Sequence, residues 1–336
     1  MTKIPGALMY SEIKEAPEKF ATIVQHDFSA AVAPLGLPDT RAIYTIARGS
    51  SDAAANILSY EYMAHLKLPV TSLPPSAFSL QDGVAMANAT GLVVSQSGAS
   101  SDLLKACDGI GYNGGKTLVL TNTAGSPASQ IADVTIDMGA GPELAIPATK
   151  SVICTIGAGM AVLAATKPQY QQTCAQAAAA MLAIKDTSLP EQAKLEHALA
   201  GSDSIYVIGR GCGYGAAQEI ALKLKETAAL HAEAFSASEV LHGPLQLATK
   251  PLTVLILDTG EASTQDSLNI AQARFEAVNA QVFRFSPADL GVQNVAPPAA
   301  AALLLYALYF VVHNVTITLD LDPDTPETLA KITDTV

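Results

Sequence analysis

The stretch Val93–Asp102 reads V-V-S-Q-S-G-A-S-S-D, an apolar run that ends in hydroxyls and a glycine. A strand that stops there and gives way to a helix leaves the helix's first amides unbonded. Those amides, helped by the helix dipole, favour an anion. Ser95, Gln96, Ser97 and Ser100 add side-chain donors without adding positive charge. An ordinary turn capped by Ser100 or Ser101 has the same composition, so the loop alone does not decide. A second hydroxyl loop, R-G-S-S-D at Arg48–Asp52, carries Ser50 and Ser51. Such a pair of loops is expected where a ligand lies between neighbouring strand ends. Further on, the run from Glu219 places Glu219, Lys223 and Glu226 on one face of a helix, at spacings of four and three. On a generic helix that pattern is a solvated charged face. His231, in H-A-E, invites a metal reading, but the other histidines lack matching ligand spacing, and no metal is expected.

The elements that position these residues follow from the alternation of short apolar runs with longer helical segments. Ala42–Ala47, Gly91–Ser95, Thr117–Thr121 and Val134–Asp137 read as strands. Ser51–Leu66, Ser101–Tyr112 and Thr149–Thr166 read as the helices between them. The expected class is α/β, with a mainly parallel sheet flanked by helices on both faces. An N-terminal stretch looks helical and is expected to break at Pro17 and Pro34, and an Ala-rich helical stretch begins at Gln171. Ile43–Gly49 (I-Y-T-I-A-R-G) then returns 162 residues later as Ile205–Gly211 (I-Y-V-I-G-R-G). The same offset maps Ala54-Ala55 onto Ala216-Ala217 and Gly98 onto Gly260. A register shared at three places reads as a duplicated domain. The expected organisation is an N-terminal helical arm (1–34), a first domain (35–170), a helical connector (171–200), a second domain (201–324) and a C-terminal tail (325–336).

The 336 residues are 49% apolar and 15% charged, enough for two packed cores, and the net charge is −12. That charge argues against nucleic acid or an anionic membrane as a partner. It also requires that an anionic ligand be held by local amides and hydroxyls rather than by the overall field. Cys107, Cys154, Cys174 and Cys212 show no C-x-x-C spacing and read as free thiols in a reducing compartment. The opening M-T-K-I-P-G-A-L-M-Y-S-E has no continuous apolar core, so no secretory signal is expected and a cytoplasmic location is. The apolar run Ala299–Val312 is too short to span a bilayer and reads as a buried helix.

Taken together, S-Q-S-G-x-[ST], the earlier G-[ST]-S loop, A-L-K-L-K-E-x-x-x-x-H-A-E-A, E-x-x-H-G-P and a final A-K near the end form a specific ordered set. Glu143–Ser151, E-L-A-I-P-A-T-K-S, adds a further segment. The set resembles the sugar isomerase (SIS) domains, most closely the isomerase half of glucosamine-6-phosphate synthase, from about residue 35 to the C-terminus. The resemblance implies two tandem SIS domains and a phosphosugar substrate. It implies phosphate contacts from Ser51, Ser95, Gln96, Ser97 and Ser100, and a sugar contact from Ser50. Glu226 matches the base that moves a proton between sugar carbons 1 and 2, and Lys223 matches a lysine near it. His242 matches a ring-opening histidine supplied by the other subunit of a homodimer, and Lys331 a lysine able to form a Schiff base with the open ketose. Ala148 stands where the synthase has a sugar-contacting serine, Ala99 where it has a glutamate, and Pro147 is foreign to that loop.

Nothing before residue 35 leaves room for a glutaminase domain, so the expected reaction is the reverse one, glucosamine 6-phosphate to fructose 6-phosphate and ammonia, without a cofactor. Alternatives implied by the same resemblance are a galactosamine-6-phosphate deaminase, a fructosamine-6-phosphate deglycase, an aldose–ketose isomerase and a non-catalytic sugar-phosphate sensor. Under the 162-residue offset Leu257, Asp258 and Thr259 face Ser95, Gln96 and Ser97, so the second domain's loop is expected to have lost its phosphate.

Overall fold

The computed structural model describes residues 4–331, so the last five residues of the expected tail lie outside the described residues. Nine short strands form among them, all paired in parallel. In the first sheet β1 (Ala42–Ile46), β2 (Val70–Ser72), β3 (Ala89–Ser95), β4 (Lys116–Thr121) and β5 (Val134–Asp137) lie in the order β2-β1-β3-β4-β5. Every residue of β3 is buried, as a central parallel strand covered on both faces requires. In the second sheet β6 (Ile205–Gly209), β7 (Ala232–Ser236), β8 (Thr253–Leu257) and β9 (Gln281–Phe285) follow the order β7-β6-β8-β9. Both sheets therefore reverse direction at the same step, between β1 and β3 and between β6 and β8.

The duplication is written into the backbone. Gly49 and Gly211, 162 residues apart, both take left-handed φ, 54° and 57°. Gly98 and Gly260, separated by the same offset, do so at 61° and 75°. β3 and β8 end at Ser95 and Leu257, again 162 apart. At Gly98 the constraint is also steric, because a Cβ there would sit 2.2 Å from Ser126 Oγ. A side chain at that position would have to displace the loop after β4.

The residues gather into two units. Glu18–Pro142 and Ser151–Ala179 form the N-terminal unit around the first sheet. Residues 4–17, Glu143–Lys150 and Ala180–Lys331 form the C-terminal unit around the second. In the latter, the helix Cys212–Ala228 packs along the helix Pro297–Thr318, whose face is almost wholly buried.

Three expectations need correction. Pro17 does not break the first helix, which runs from Ala7 to Ile23 with the proline inside. Proline costs a helix about 3 kcal/mol. The helix also buries Met9, Ile13, Ala16 and Phe20 completely on one stripe. At about 1.5–3 kcal/mol for each of the three large side chains, that burial outweighs the proline. The apolar helix near the C-terminus is longer than Ala299–Val312. It spans 22 residues, is long and apolar enough to cross a membrane, and buries 83% of its apolar window inside the chain. Its extra length comes from Val315, Thr316 and neighbours, which stay helical because they continue the buried face. The edge strand β2 was not foreseen, since three residues between Pro69 and Pro74 show no period.

The end of the described chain caps its beginning. Leu8 N–H and Met9 N–H donate to the two carboxylate oxygens of Asp324 at 3.0 and 2.8 Å, and Gly6 N–H donates to Asp322 at 3.1 Å. Asp324 is fully buried, so it satisfies helix-start amides that water does not reach. Asp324→Ala is expected to lower stability by about 1–2 kcal/mol. Chemical denaturation of the variant checks this, and an unchanged midpoint would refute the capping role.

Candidate active site

In an open parallel sheet the crevice at the strand-order reversal receives ligands, because the loops on either side diverge there. In the N-terminal unit that crevice lies between the loops after β1 and β3. It is where the two hydroxyl loops fall. Ser50 and Ser51 occupy the first turn of the helix Gly49–Leu66, half-buried. Ser100 is the residue before the helix Ser101–Tyr112, and its side chain makes no capping bond. The plain-cap explanation of Ser100 therefore fails. Ser95 is buried and accepts from Gly98 N–H at 3.1 Å, and Ser97 Oγ accepts from Ala99 N–H at 3.3 Å. The Gln96 carbonyl is held by Asn122 N–H at 3.1 Å and by the Thr123 hydroxyl at 3.3 Å. These bonds fix the loop's backbone before any ligand arrives.

A contact that motif reading missed joins the two loops. Arg48 Nε and Nη2 donate to Asp102 Oδ2 at 2.9 and 2.8 Å. Asp102 is 1% exposed, whereas Arg48 is half in solvent. The pair ties the residue before one helix to the first turn of the next. Both residues flank the serine motifs in the sequence, and an opposite-charge pair at those two ends was the available signal.

The equivalent crevice of the C-terminal unit is filled by its own side chains. Asp258, at the position of Gln96, accepts from Gly260 N–H at 2.8 Å, from Gln265 at 2.8 Å and from Arg284 at 2.7 Å. Arg284 also reaches Gln265, Asn269 and Gln272. The carboxylate thus takes a loop amide, and its charge is matched from β9.

The C-terminal unit instead holds a buried charge cluster. Lys223 is completely buried on the helix Cys212–Ala228, with Nζ donating to Glu226 and lying 3.6 Å from Glu219. Burial alone would depress its pKa, but Glu219, Glu226 and Glu143 hold it above the usual lysine range. Glu219 is equally buried and accepts from the Tyr309 hydroxyl at 2.9 Å. Glu226 is the member that reaches the surface, at 24% exposure. Tyr309 sits in an apolar run that gave no sign of it.

The segment Glu143–Lys150 adds to the same unit. Its Leu144 and Ala145 amides donate to the Glu12 carboxylate, and Ile146 N–H donates to Asp324 O at 2.9 Å. Burial, and next the nearby Glu143, raise the Glu12 pKa against the pull of those amides and Lys150. Lys331 Nζ donates to Ala145 O at 2.6 Å and lies 3.7 Å from the buried Glu143. Ala148 is half-buried on this segment. The structure therefore gathers Lys223, Glu226, Lys331 and the Ala148 segment into one unit. His242 belongs to the same unit, exposed at the end of the turn Glu239–His242. Gly243 follows it at φ 150°, and Tyr206 OH donates to Pro244 O at 2.9 Å, fixing that turn. Ser50, Ser51, Ser95, Gln96, Ser97 and Ser100 all belong to the N-terminal unit.

A family model described as the SIS domain matches residues 36–165 and 198–285. An isomerising glutamine–fructose-6-phosphate aminotransferase from Halobacterium salinarum is 32% identical over 243 residues, 69% of this chain and 40% of that protein. Its counterpart from Zymomonas mobilis is 27% identical over 96% of this chain and 58% of that protein. The chain thus spans about half the length of these relatives. A crystal structure from Silicibacter pomeroyi DSS-3, whose assignment as a phosphosugar isomerase is provisional, superposes with a TM-score of 0.85 at 32% identity. That match covers 96% of this chain and all of the other. Glucosamine-6-phosphate deaminase from Thermotoga maritima shares the fold, with a TM-score of 0.74 and 20% identity over 98% of this chain and all of the other. With the two matched segments together covering well over half of its length, the chain belongs to the SIS domain family.

Proposed function

We propose that this chain is a phosphosugar isomerase that acts on an amino-sugar phosphate, converting glucosamine 6-phosphate and water to fructose 6-phosphate and ammonia. The observation that carries this reading is the Lys223 cluster. A lysine buried between two carboxylates has one of them, Glu226, open to the surface. A carboxylate held in place by a buried ammonium, with its other side open to the surface, is positioned to accept a carbon-bound proton. The relatives' names support the substrate class, since the aminotransferases they describe act on fructose 6-phosphate.

In this reading Ser51, Ser95, Gln96, Ser97 and Ser100 hold the phosphate through hydroxyls and helix-start amides, and Ser50 contacts the sugar. His242, from the partner subunit of a homodimer, assists ring opening. Glu226 takes the proton from carbon 2 of the open aldehyde, and a proton is returned to carbon 1. The aldehyde oxygen gains a proton as a double bond forms between carbons 1 and 2, and those electrons then make the new bond from carbon 1 to hydrogen. The nitrogen lone pair forms the carbon–nitrogen double bond, and the nitrogen gives up one proton. Water adds to that ketose imine and ammonia leaves. Lys223 orients Glu226 through their ion pair, and Lys331 closes on the open-chain ketose from beside the Glu143–Lys150 segment. Ala148 lacks the hydroxyl that a serine would offer to the sugar.

Incubating the protein with glucosamine, galactosamine and fructosamine 6-phosphates, and measuring ammonia and ketose 6-phosphate, tests the assignment. Glucosamine 6-phosphate is expected to be turned over fastest. Glu226→Gln should lower kcat by on the order of 10²–10⁴-fold with substrate affinity retained. Absence of ammonia from every member of the panel would overturn the reading. The shared site is checked separately. Glu226→Gln and His242→Ala chains, each inactive alone, should recover activity on mixing, and no recovery after confirmed subunit exchange would contradict it.

A further inference from the structure

Tyr309 is a phenol within the mostly apolar helix Pro297–Thr318, where it is completely buried. A buried hydroxyl is costly unless bonded, and Phe would fill nearly the same space. Among the described residues its hydroxyl donates to Glu219 Oε1, at 2.9 Å. Glu219 in turn lies 3.6 Å from Lys223, the ammonium that also contacts Glu226. The hydroxyl thus stands at the closed end of a line, Tyr309–Glu219–Lys223–Glu226, whose other end is the surface carboxylate.

We propose that Tyr309 is a positioning residue for Glu226: by occupying Glu219, it restrains that carboxylate from drawing Lys223 away, so the ammonium stays against Glu226. The proposal rests on the assignment of Glu226 as the base. The charged and titratable groups around Glu226 are Glu219 and Lys223 on its own helix and Tyr309 on the helix packed against it. Glu143 acts on Lys223 from the Glu143–Lys150 segment, with Lys331 beyond it. Of these, Tyr309 alone is a neutral donor, so its removal changes the balance between the two carboxylates without changing the cluster's charge.

Without the phenol, Glu219 becomes the better acceptor and pulls Lys223 towards itself. Glu226 then loses part of its partner, and its carboxylate binds a proton more readily. Tyr309→Phe is expected to lower kcat about tenfold with KM unchanged, and to move the acid limb of the rate profile up by about one pH unit. Glu219→Gln, which removes the competing charge, should move that limb in the opposite direction. Carbon-13 titration of the Glu226 carboxyl in wild type and Tyr309→Phe reads the same change without turnover. An upward shift supports the proposal. Identical titrations, or a slower variant whose acid limb has not moved, would reduce Tyr309 to packing and overturn it. If the wild type releases no ammonia from any amino-sugar phosphate, the functional assignment falls, while the titration still decides what Tyr309 does.

Discussion

The charge of Lys223 is the constraint around which the C-terminal unit is arranged. An unpaired ammonium at zero exposure would cost several kcal/mol, more than a typical core side chain contributes. The helix Cys212–Ala228 therefore supplies Glu219 and Glu226 one turn to either side. Two carboxylates around one ammonium then need a further donor, and the neighbouring helix provides the Tyr309 hydroxyl. The register of the two helices is tied to that bond, to the 2.9 Å bond between the Thr316 and Thr227 hydroxyls and to apolar packing. The Glu143–Lys150 segment, anchored by Glu12, Asp324 and Lys331, brings Glu143 into the same field.

Duplication gave both units the same loop backbone and left them different chemistry. The glycines 162 residues apart keep left-handed φ in both. In the N-terminal unit the loop presents hydroxyls and its charges are tied off at the margin by Arg48 and Asp102. In the C-terminal unit Asp258 occupies the loop amide and Arg284 neutralises it. A phosphate there would have to displace a carboxylate that already has three donors. One half of the repeat presents hydroxyl donors, and the other holds a buried charge cluster.

Much of this was legible in the residues, for stated reasons. β1, β3, β4 and β5 were readable because buried parallel strands are continuous apolar runs bounded by polar loops. The serine loops were readable because hydroxyls and glycine cluster at a strand end. Spacing alone placed Glu219, Lys223 and Glu226 on one face. It could not say that the face is buried, since a charged stripe usually is not. Tyr309 was hidden inside an apolar run, where only three-dimensional packing gives its hydroxyl a partner. Arg48 and Asp102 are 54 residues apart, and the parallel pairing of β1 with β3 is what brings them together. Pro17 misled because the local rule was outweighed by a buried stripe that spans it.

The charge balance of the C-terminal unit requires that Lys223 remain an ammonium in the core. Nitrogen-15 NMR of the lysine side chains, with Lys223 assigned through Lys223→Met, would follow its titration in the intact protein. Because the neighbouring carboxylates outweigh burial, its pKa is expected above that of an exposed lysine, so the signal should stay that of a charged amine until the pH passes the ordinary lysine range. A Lys223 that loses its proton near neutral pH would show that burial dominates, and would contradict the charge balance on which the site is built.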